Sequence, residues 1–524
     1  MVRDQEFLLP PNMADWLPED HLVWFVLDVV AQLDTSAFHR RRRRGGVGRQ
    51  GYDPDMLLAL LLYAYAVGER SSRRVERLCQ DHVAFRVLCG QDAPDHTTLA
   101  RFRADHEADF AAVFTQVLRL CAEAGMVRVG VVSIDGTKIA ADASRGANRK
   151  PATVRQEAQR IAEEILADAA RVDDAEDDAE AAAGGPDDRL PPGLAGRGGR
   201  AANIAKALAE LDRQDTVERD ADHDERRRLE EYLARVEAGE AIPGVPPAGV
   251  DLVAYHRARV ERERRRIAAL EGVRGRAAAE KRGQARRKIK QALAALAAAE
   301  QAAATGQINL RGAGQRARAR REAKLRARGG AGPTVNITDP DSRLMTTANG
   351  GSVQGYNAQV AVTDDHMILG IHISQDANDT HCFAPTLTAA QNAADLLGLP
   401  IGTVLADAGY FTDDNLTLEG PDRLIAPGKH REISAQLHAA PAEGPPPPDA
   451  SPKDAMRHRL RTAEGTDLYK RRSATVETVI AHLKELTGLT RFSRRGLPAA
   501  TAELHLTATV HNLRRMHTAA LATS

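Results

Sequence analysis

At 524 residues the chain is long enough for two to four domains and a large buried core. Its 27% charged and 43% hydrophobic side chains fit a soluble protein rich in solvated helix, and its 72 basic and 72 acidic residues cancel, so any nucleic-acid partner must be argued from where the charges lie. Four scattered cysteines, Cys79, Cys89, Cys121 and Cys382, form no Cys-x-x-Cys pair, which argues against a zinc ribbon or a disulfide framework and for reduced thiols in the cytoplasm.

Residues 1–20 lack a basic segment leading into an apolar run, so no signal peptide is expected. Residues 1–125 read as helical. An apolar-periodic run, LVWFVLDVVAQL, follows His21, and a basic run, Arg40 to Arg44, precedes a glycine-rich break. Asp53-Pro54 opens the next helix, whose stretch MLLALLLYAYAV is too short to span a bilayer and reads as core; no membrane is expected as a partner. Shorter segments follow over 72–78 and 83–88. In PDHTTLARFRADH, Thr97 or Thr98 can cap a helix carrying Arg101 and Arg103.

The run VGVVSI (129–134) is a buried-strand signal that ends at Asp135-Gly136. Composition then shifts to Ala, Arg, Glu, Asp and Gly with almost no aromatics. Long charged helical patterns over 154–183, 201–238 and 252–304, broken by segments such as GGPDDRLPPGLAGRGGR, predict a helical, partly coiled-coil insertion over 151–333. The β signal returns after Pro333. GYNAQVAVTD and HMILGIHISQ predict a hairpin turning near Asp364-Asp365. A helix over 383–397, a strand in GTVLADAGY, a short strand in RLIAP, a proline-rich spacer and a helical end over 454–516 complete the chain.

Two of these strands end in an acid: VSI-Asp135 and VLA-Asp407. A carboxylate at the end of a buried apolar strand is costly unless it is paired or holds a cation. A third acid, Glu477, lies beside the apolar stripe Val476, Val479, Ile480 and Leu483 of a helix in YKRRSATVETVIAHLKELTG. Three carboxylates from two strands and a helix can hold a pair of Mg²⁺ ions, which prefer oxygen ligands and drive phosphodiester exchange. Taken singly, each acid also reads as a turn residue or a solvated helix face.

The segments PDHTTLARFR, SIDGTKIAADASRGAN, DPDSRLM, GYNAQVAV, ADAGYFT and YKRRSATVETVIAHLK, in this order, resemble those of DDE transposases of bacterial insertion sequences. The resemblance covers most of the chain outside 151–333. It implies an α/β fold: an RNase H-like mixed sheet as catalytic core (126–150 and 334–524), an all-α DNA-binding domain (1–125) and the helical insertion. It implies Asp135, Asp407 and Glu477 as the catalytic, metal-holding triad, with Mg²⁺ as cofactor and Mn²⁺ as a substitute. The implied partners are double-stranded DNA, both the element's terminal inverted repeats and the target, and a second copy of the chain. Relatives carry a Tyr-Arg-Glu-Lys signature around the third acid. Tyr469, Glu477 and Lys484 match it in kind, Arg471 and Arg472 compete for the arginine, and the Tyr-to-Glu spacing is one residue longer than the common form. That departure leaves hairpin formation on excision open.

Tyr469, Arg472 and Lys484, with Arg471 as the substitute, are expected on the DNA side of the site. Lys484 lies seven residues after Glu477 and so on nearly the same helix face. Arg101/Arg103, Arg40 to Arg44, Arg316 to Arg328 and Arg491 to Arg495 are further phosphate-contact candidates, although a charge run also reads as a solvated face. Asp142, Asn148, Asn357, Gln359, Asp376, Asn378 and Asp379 are softer site candidates, expected to make structural hydrogen bonds or to sit in exposed loops rather than to act in catalysis. Two rival readings are a non-catalytic DNA-binding scaffold and an RNase H-like nuclease that does not transpose.

Overall fold

The computed structural model describes residues 12–41, 51–161, 196–240, 242, 246–247, 250–305, 334–347, 350–428 and 441–523. The chain divides into two units, Met1–Asn148 with Asn336–Ser524, and Arg149–Val335. Within the first unit the points of exit and return are tied together. Asn336 Nδ2 donates to Ser144 O at 2.8 Å, and Ile337 N donates to Ala147 O at 3.1 Å.

The first unit opens with seven helices: α1 (Leu22–Gln32), α2 (Ser36–Arg40), α3 (Pro54–Ala66), α4 (Ser72–Asp81), α5 (Val83–Leu88), α6 (His96–Asp105) and α7 (Phe110–Glu123). Asp53 caps α3 by accepting from Asp55 N at 2.9 Å, with Pro54 in the first turn where its missing N–H costs nothing. Every residue from Leu57 to Ala66 is buried, so α3 is a central core helix. Among the described residues no helix is long and apolar enough to cross a membrane. The cap of α6 is Asp95, where the sequence suggested Thr97 or Thr98. Its carboxylate accepts from Thr98 N at 2.8 Å and from Thr98 Oγ1 at 2.8 Å. A carboxylate suits the positive end of the helix dipole better than a hydroxyl does.

The sheet has six strands: β1 (Val131–Ala140), β2 (Arg343–Thr346), β3 (Ser352–Thr363), β4 (Ile368–Ser374), β5 (Thr403–Ala406) and β6 (Asp422–Ile425). β1 lies in the middle. On one side it pairs antiparallel with β3, whose far edge carries β2 and β4; on the other it pairs parallel with β5, which pairs parallel with β6. β3 and β4 form the expected hairpin, turned through Asp364 and Asp365 to His366 at φ 59°. One expectation changes: β1 does not stop at Asp135. The parallel ladder to β5 ends at Ile134, but the antiparallel ladder to β3 continues to Ala140, which leaves Asp135 in mid-strand.

Helix α8 (Phe383–Leu396) packs on one face of the sheet. Phe383, Leu387 and Ala390 share a core with Val132, Ile134 and Ala361. The other face is covered by the C-terminal helices. After α9 (Pro452–Arg459), α10 (Ala463–Arg472) runs through a π-helical turn, Ser473–Glu477, into α11 (Thr478–Glu485). Val476, Val479 and Leu483 there pack against Ile139, Tyr356 and Val360. The final helix, α12 (Leu497–Thr523), packs on α3, α7 and β4. The DPDSRLM segment supplies its cap: Asp341 Oδ2 accepts from Leu497 N at 2.8 Å, and the buried Asp339 accepts from Gly496 N at 3.2 Å and from Tyr356 OH at 2.8 Å. Through α12 the N-terminal helices share one apolar core with the sheet, so residues 12–125 are not free-standing. Arg70, two residues ahead of α4, adds an ion pair to the buried Glu503 of α12 at 2.7 Å.

The described part of the second unit is helical: Gly196–Glu237, Leu252–Ala268 and Arg276–Thr305, with residues 151–161 also helical. The pattern read as one helix over 252–304 is two, separated by a turn with Gly272 and Gly275 at positive φ. A small cluster, Val236, Val250, Tyr255 and Ala258, is its apolar anchor. The breaker segment GGPDDRLPPGLAGRGGR (184–200) is described only in its last five residues, which belong to the helix Gly196–Glu237 rather than to a break; the part of the first helical pattern beyond 161 lies outside the described residues, as do Arg42 to Arg44 and Arg316 to Arg328. All four cysteines are free and buried.

At Gly355 the backbone of β3 lies against β1, and an added Cβ there would lie 2.1 Å from Ile139 O. Backbone on both sides cannot yield, so Gly355→Ala is expected to destabilise the first unit by about 2–4 kcal/mol. Chemical denaturation of wild type and variant measures this; an unchanged midpoint would refute the packing argument.

Candidate active site

Strand register brings the first two acids together. Ile134 pairs with Ala406 in the parallel ladder, so the next residue on each strand, Asp135 and Asp407, emerges side by side. Asp407 then caps a short turn, accepting from Gly409 N at 2.9 Å, and Asp135 Oδ1 accepts from Gly136 N at 2.8 Å.

The third acid arrives on the π-helical turn. Thr475 Oγ1 donates to Ser133 Oγ at 2.9 Å, pinning the turn to β1 two residues before Asp135, on the same face. Arg472, at the end of α10, bridges the two elements: Nη1 lies 2.8 Å from Asp135 Oδ2 and Nη2 lies 2.9 Å from Glu477 Oε1. Asp135 and Arg472 are largely shielded, with side chains 19% and 13% exposed, whereas Glu477 at 54% faces solvent. The ambiguity over the arginine is resolved geometrically. Arg472 reaches the carboxylates, while Arg471 turns away to Asp364 at 3.2 Å.

The charges are strongly coupled. Burial pushes the Asp135 carboxyl above its ordinary range and Glu477 adds to the effect, against the opposing pull of Arg472 and Gly136 N–H. Asp407 is pushed up in the same way, by burial first and then by Asp135. Burial opposes the charge on Arg472, yet Asp135 outweighs it and holds the guanidinium above its usual value. Lys484 feels the field of Asp135, which opposes the lowering of its ammonium by burial. Tyr469 is expected toward DNA but is buried, packed with Leu405 and Leu424 under the site; burial raises its phenol to about 12. It lies against Arg472, largely shielded from solvent.

A second polar group lies on the other face of the sheet. Asn357 Nδ2, Gln359 Nε2 and Lys138 Nζ all donate to Asp379 Oδ1, at 2.7, 3.0 and 3.0 Å, and Tyr410 OH donates to Gln359 Oε1. This network locks the turn that follows Asp407 from below. Sequence reasoning missed Lys138, although two-residue alternation from Gly136 puts it on that face. Asp142 pairs with Arg495 at 3.0 Å, and Asn148 donates to Gln354 Oε1 at 2.9 Å; Asp376 N is held by Ser374 Oγ at 2.9 Å, and Asn378 O accepts from Cys382 Sγ at 3.8 Å.

The Arg103 expectation is corrected. Its side chain is buried and donates to Arg70 O at 2.9 Å and to Ser72 Oγ, a structural link between α6 and α4. Arg101 is exposed. Arg494 pairs with Glu107, and Arg491 donates to Ala141 O at 2.7 Å.

The donor set fits a hard divalent cation: three carboxylates, two of them destabilised by burial. The carboxylates are not drawn into a closed cage. Among the described residues the one trio of potential ligands whose atoms all lie within 4.8 Å of one another is His39, Asp53 and Asp55, on the N-terminal helices. Between Asp135 and Glu477, the Arg472 guanidinium holds the position of the positive charge.

Two family models match the chain: one described as Transposase domain (DUF772), over residues 11–105, and one described as Transposase DDE domain, over residues 448–517. The second spans Tyr469, Arg472, Glu477 and Lys484. Neither a curated protein nor a solved structure matches the chain.

Asp407→Asn keeps the acceptor for Gly409 N and removes a charge that the fold disfavours. With a chelator present at pH 7, the variant is expected to unfold roughly 2 °C above wild type, the scale of ~1 kcal/mol in a unit of this size. Because the folded state raises this carboxyl above its ordinary value of 3.8, the ionisation penalty is full above the raised value and gone below 3.8. The variant's advantage therefore shrinks as pH falls through that window. A thermal melt at pH 7 in which the variant is no more stable than wild type would contradict the electrostatic account.

Proposed function

We propose that this chain, a DDE-type transposase of an insertion-sequence family, uses Asp135, Asp407 and Glu477 to cut DNA at the element's ends and to join those ends to target DNA. The observation that carries the reading is the convergence of three carboxylates from three distant segments, two by strand register and one through Arg472. The sheet supports an RNase H-like core: a central β1 with an antiparallel pair on one side and two parallel strands on the other.

Asp135, Asp407 and Glu477 would hold Mg²⁺, or Mn²⁺ in its place. When bound, the ions supply the charge that activates an attacking water or 3′-OH and stabilises the leaving oxygen. The protein's own contribution is preorganisation. Asp135 is fixed in mid-strand, and Asp407 is fixed by its cap and by the network around Asp379. Arg472 offsets the mutual repulsion of the carboxylates. Its fork would also suit a phosphate oxygen of the DNA at this site, as arginine does well. Lys484 supplies a second, flexible cation toward the same backbone. Tyr469 positions Arg472 from beneath, and exposed Arg101 on α6 remains available for phosphate outside the site.

The test uses a duplex carrying the DNA that flanks the gene, with Mg²⁺. Asp135→Asn, Asp407→Asn and Glu477→Gln are each expected to lower cleavage by about 10³-fold or more while leaving binding within a few fold of wild type. A variant that still cuts at the wild-type rate would remove that residue from the triad. Joining of cut ends to a target plasmid separates transposition from plain nuclease action, and cutting without any joining would favour the nuclease reading.

A further inference from the structure

Past the C-terminal end of β1 the surface opens into a cavity of about 670 Å³ that the carboxylate site does not use. Three arginines line it, Arg145, Arg491 and Arg495, against a single acid, Asp142. The rest of its wall is small or uncharged, which leaves room for a ligand of nucleotide size.

The arginines are anchored in a way that leaves most of their charge unspent. Arg145 Nη1 donates to Ser352 O and Oγ, both at 2.9 Å, and Arg491 Nη1 donates to Ala141 O at 2.7 Å. Arg495 Nε donates to Asp142 O and Oδ2, both at 3.0 Å. Backbone oxygens fix a guanidinium without neutralising it, so Asp142 alone offsets one of three positive charges. A guanidinium has five N–H donors, and among the described residues the Nη2 group of each arginine has no partner. Three held forks with spare donors in one concavity suit an anion with several oxygens, and a phosphodiester is that shape.

Position selects the source of the phosphate. The cavity begins at Ala140, five residues along β1 from Asp135, about 16 Å at ~3.3 Å per residue. Five base-pair steps of duplex cover about the same length. Arg491 bridges to Ala140 and follows Lys484 by seven residues, so the segment that carries Glu477 and Lys484 leads from the carboxylates to the cavity. We infer that this cavity is a second phosphate-holding site, gripping the DNA backbone about five base pairs from the phosphate cut at the carboxylates. The inference rests on the proposed function and extends its DNA path.

The test is salt-dependent binding of a fluorescent element-end duplex to the full chain, without divalent metal. The double variant Arg145→Gln/Arg495→Gln is expected to lower the slope of log affinity against log salt by up to about 0.9, the contribution of the one phosphate the cavity holds. A scan of methylphosphonate substitutions with wild-type protein gives a second readout that needs no variant: a loss of several fold is expected about five steps from the cut as well as at the cut. A double variant that folds like wild type with an unchanged slope, or a scan with losses at the cut alone, overturns the cavity assignment. If a mononucleotide bound there and duplex did not compete with it, the cavity would serve a free nucleotide and the DNA assignment would fall. Wild-type cleavage that depends on Asp135 leaves the proposed function standing in each of these cases. Absence of both cleavage and salt-dependent duplex binding sinks the two readings together.

Discussion

One guanidinium holds together two carboxylates that would otherwise repel. Arg472 lies 2.8 Å from Asp135 and 2.9 Å from Glu477, and Asp407 sits beside Asp135 by strand register. Three acids at one point, two of them buried, are unfavourable without a compensating positive charge. The arrangement holds because Arg472 is itself largely buried, backed by Tyr469 and fixed at the end of α10. Under the proposed function, a cation held by Asp135 and Glu477 would supply the charge compensation that Arg472 provides between them.

The opposite face of the sheet sets the precision of the second acid. Asp407 follows a four-residue strand, too short to aim a side chain unaided. The turn after it is held by Tyr410 on Gln359, which is tied to Asp379, Asn357 and Lys138. Gly136 completes this arrangement. A Cβ there would lie 2.1 Å from the Gln359 amide, so the glycine after Asp135 makes room for the network that fixes Asp407. The turn after Asp407 is thus held from the face of the sheet opposite to the acids.

Much of this was legible from residue patterns. The β-branched runs, the hairpin at Asp364-Asp365 and the acids after VSI and VLA follow from period and turn chemistry. What failed, failed for physical reasons. Asp135-Gly136 read as a strand end because Asp-Gly is turn chemistry, but the long antiparallel partner β3 carries β1 through it. Arg103 read as a phosphate contact because it shares a helix with Arg101. Helical phase alone separates the buried arginine from the exposed one, and only the packing of α6 on α4 sets that phase. The N-terminal helices read as a separate domain because nothing local announces that α12, from the far end of the chain, completes their core.

The choice between Arg471 and Arg472 depends on a single extra residue. Arg472 and Glu477 are five positions apart, which in an α-helix leaves them roughly 140° apart around the axis, on different faces. The helix does not stay α there. Ser473–Glu477 forms a π-helical turn, whose i to i+5 bonding brings residues five apart above one another. The extra residue between tyrosine and glutamate, which looked like a departure from the common signature, is taken up by that turn. Tyr469 and Arg472 stay in α register before it, and Lys484 follows Glu477 in α register after it, which leaves Arg472 within reach of both Asp135 and Glu477. Thr475 fixes the bulge by donating to Ser133 on β1, while Val476 seats it in the core. A π turn is a locally unfavourable way to wind a helix, and it survives here because the packing beneath it and the ion pairs above it both require the wider turn.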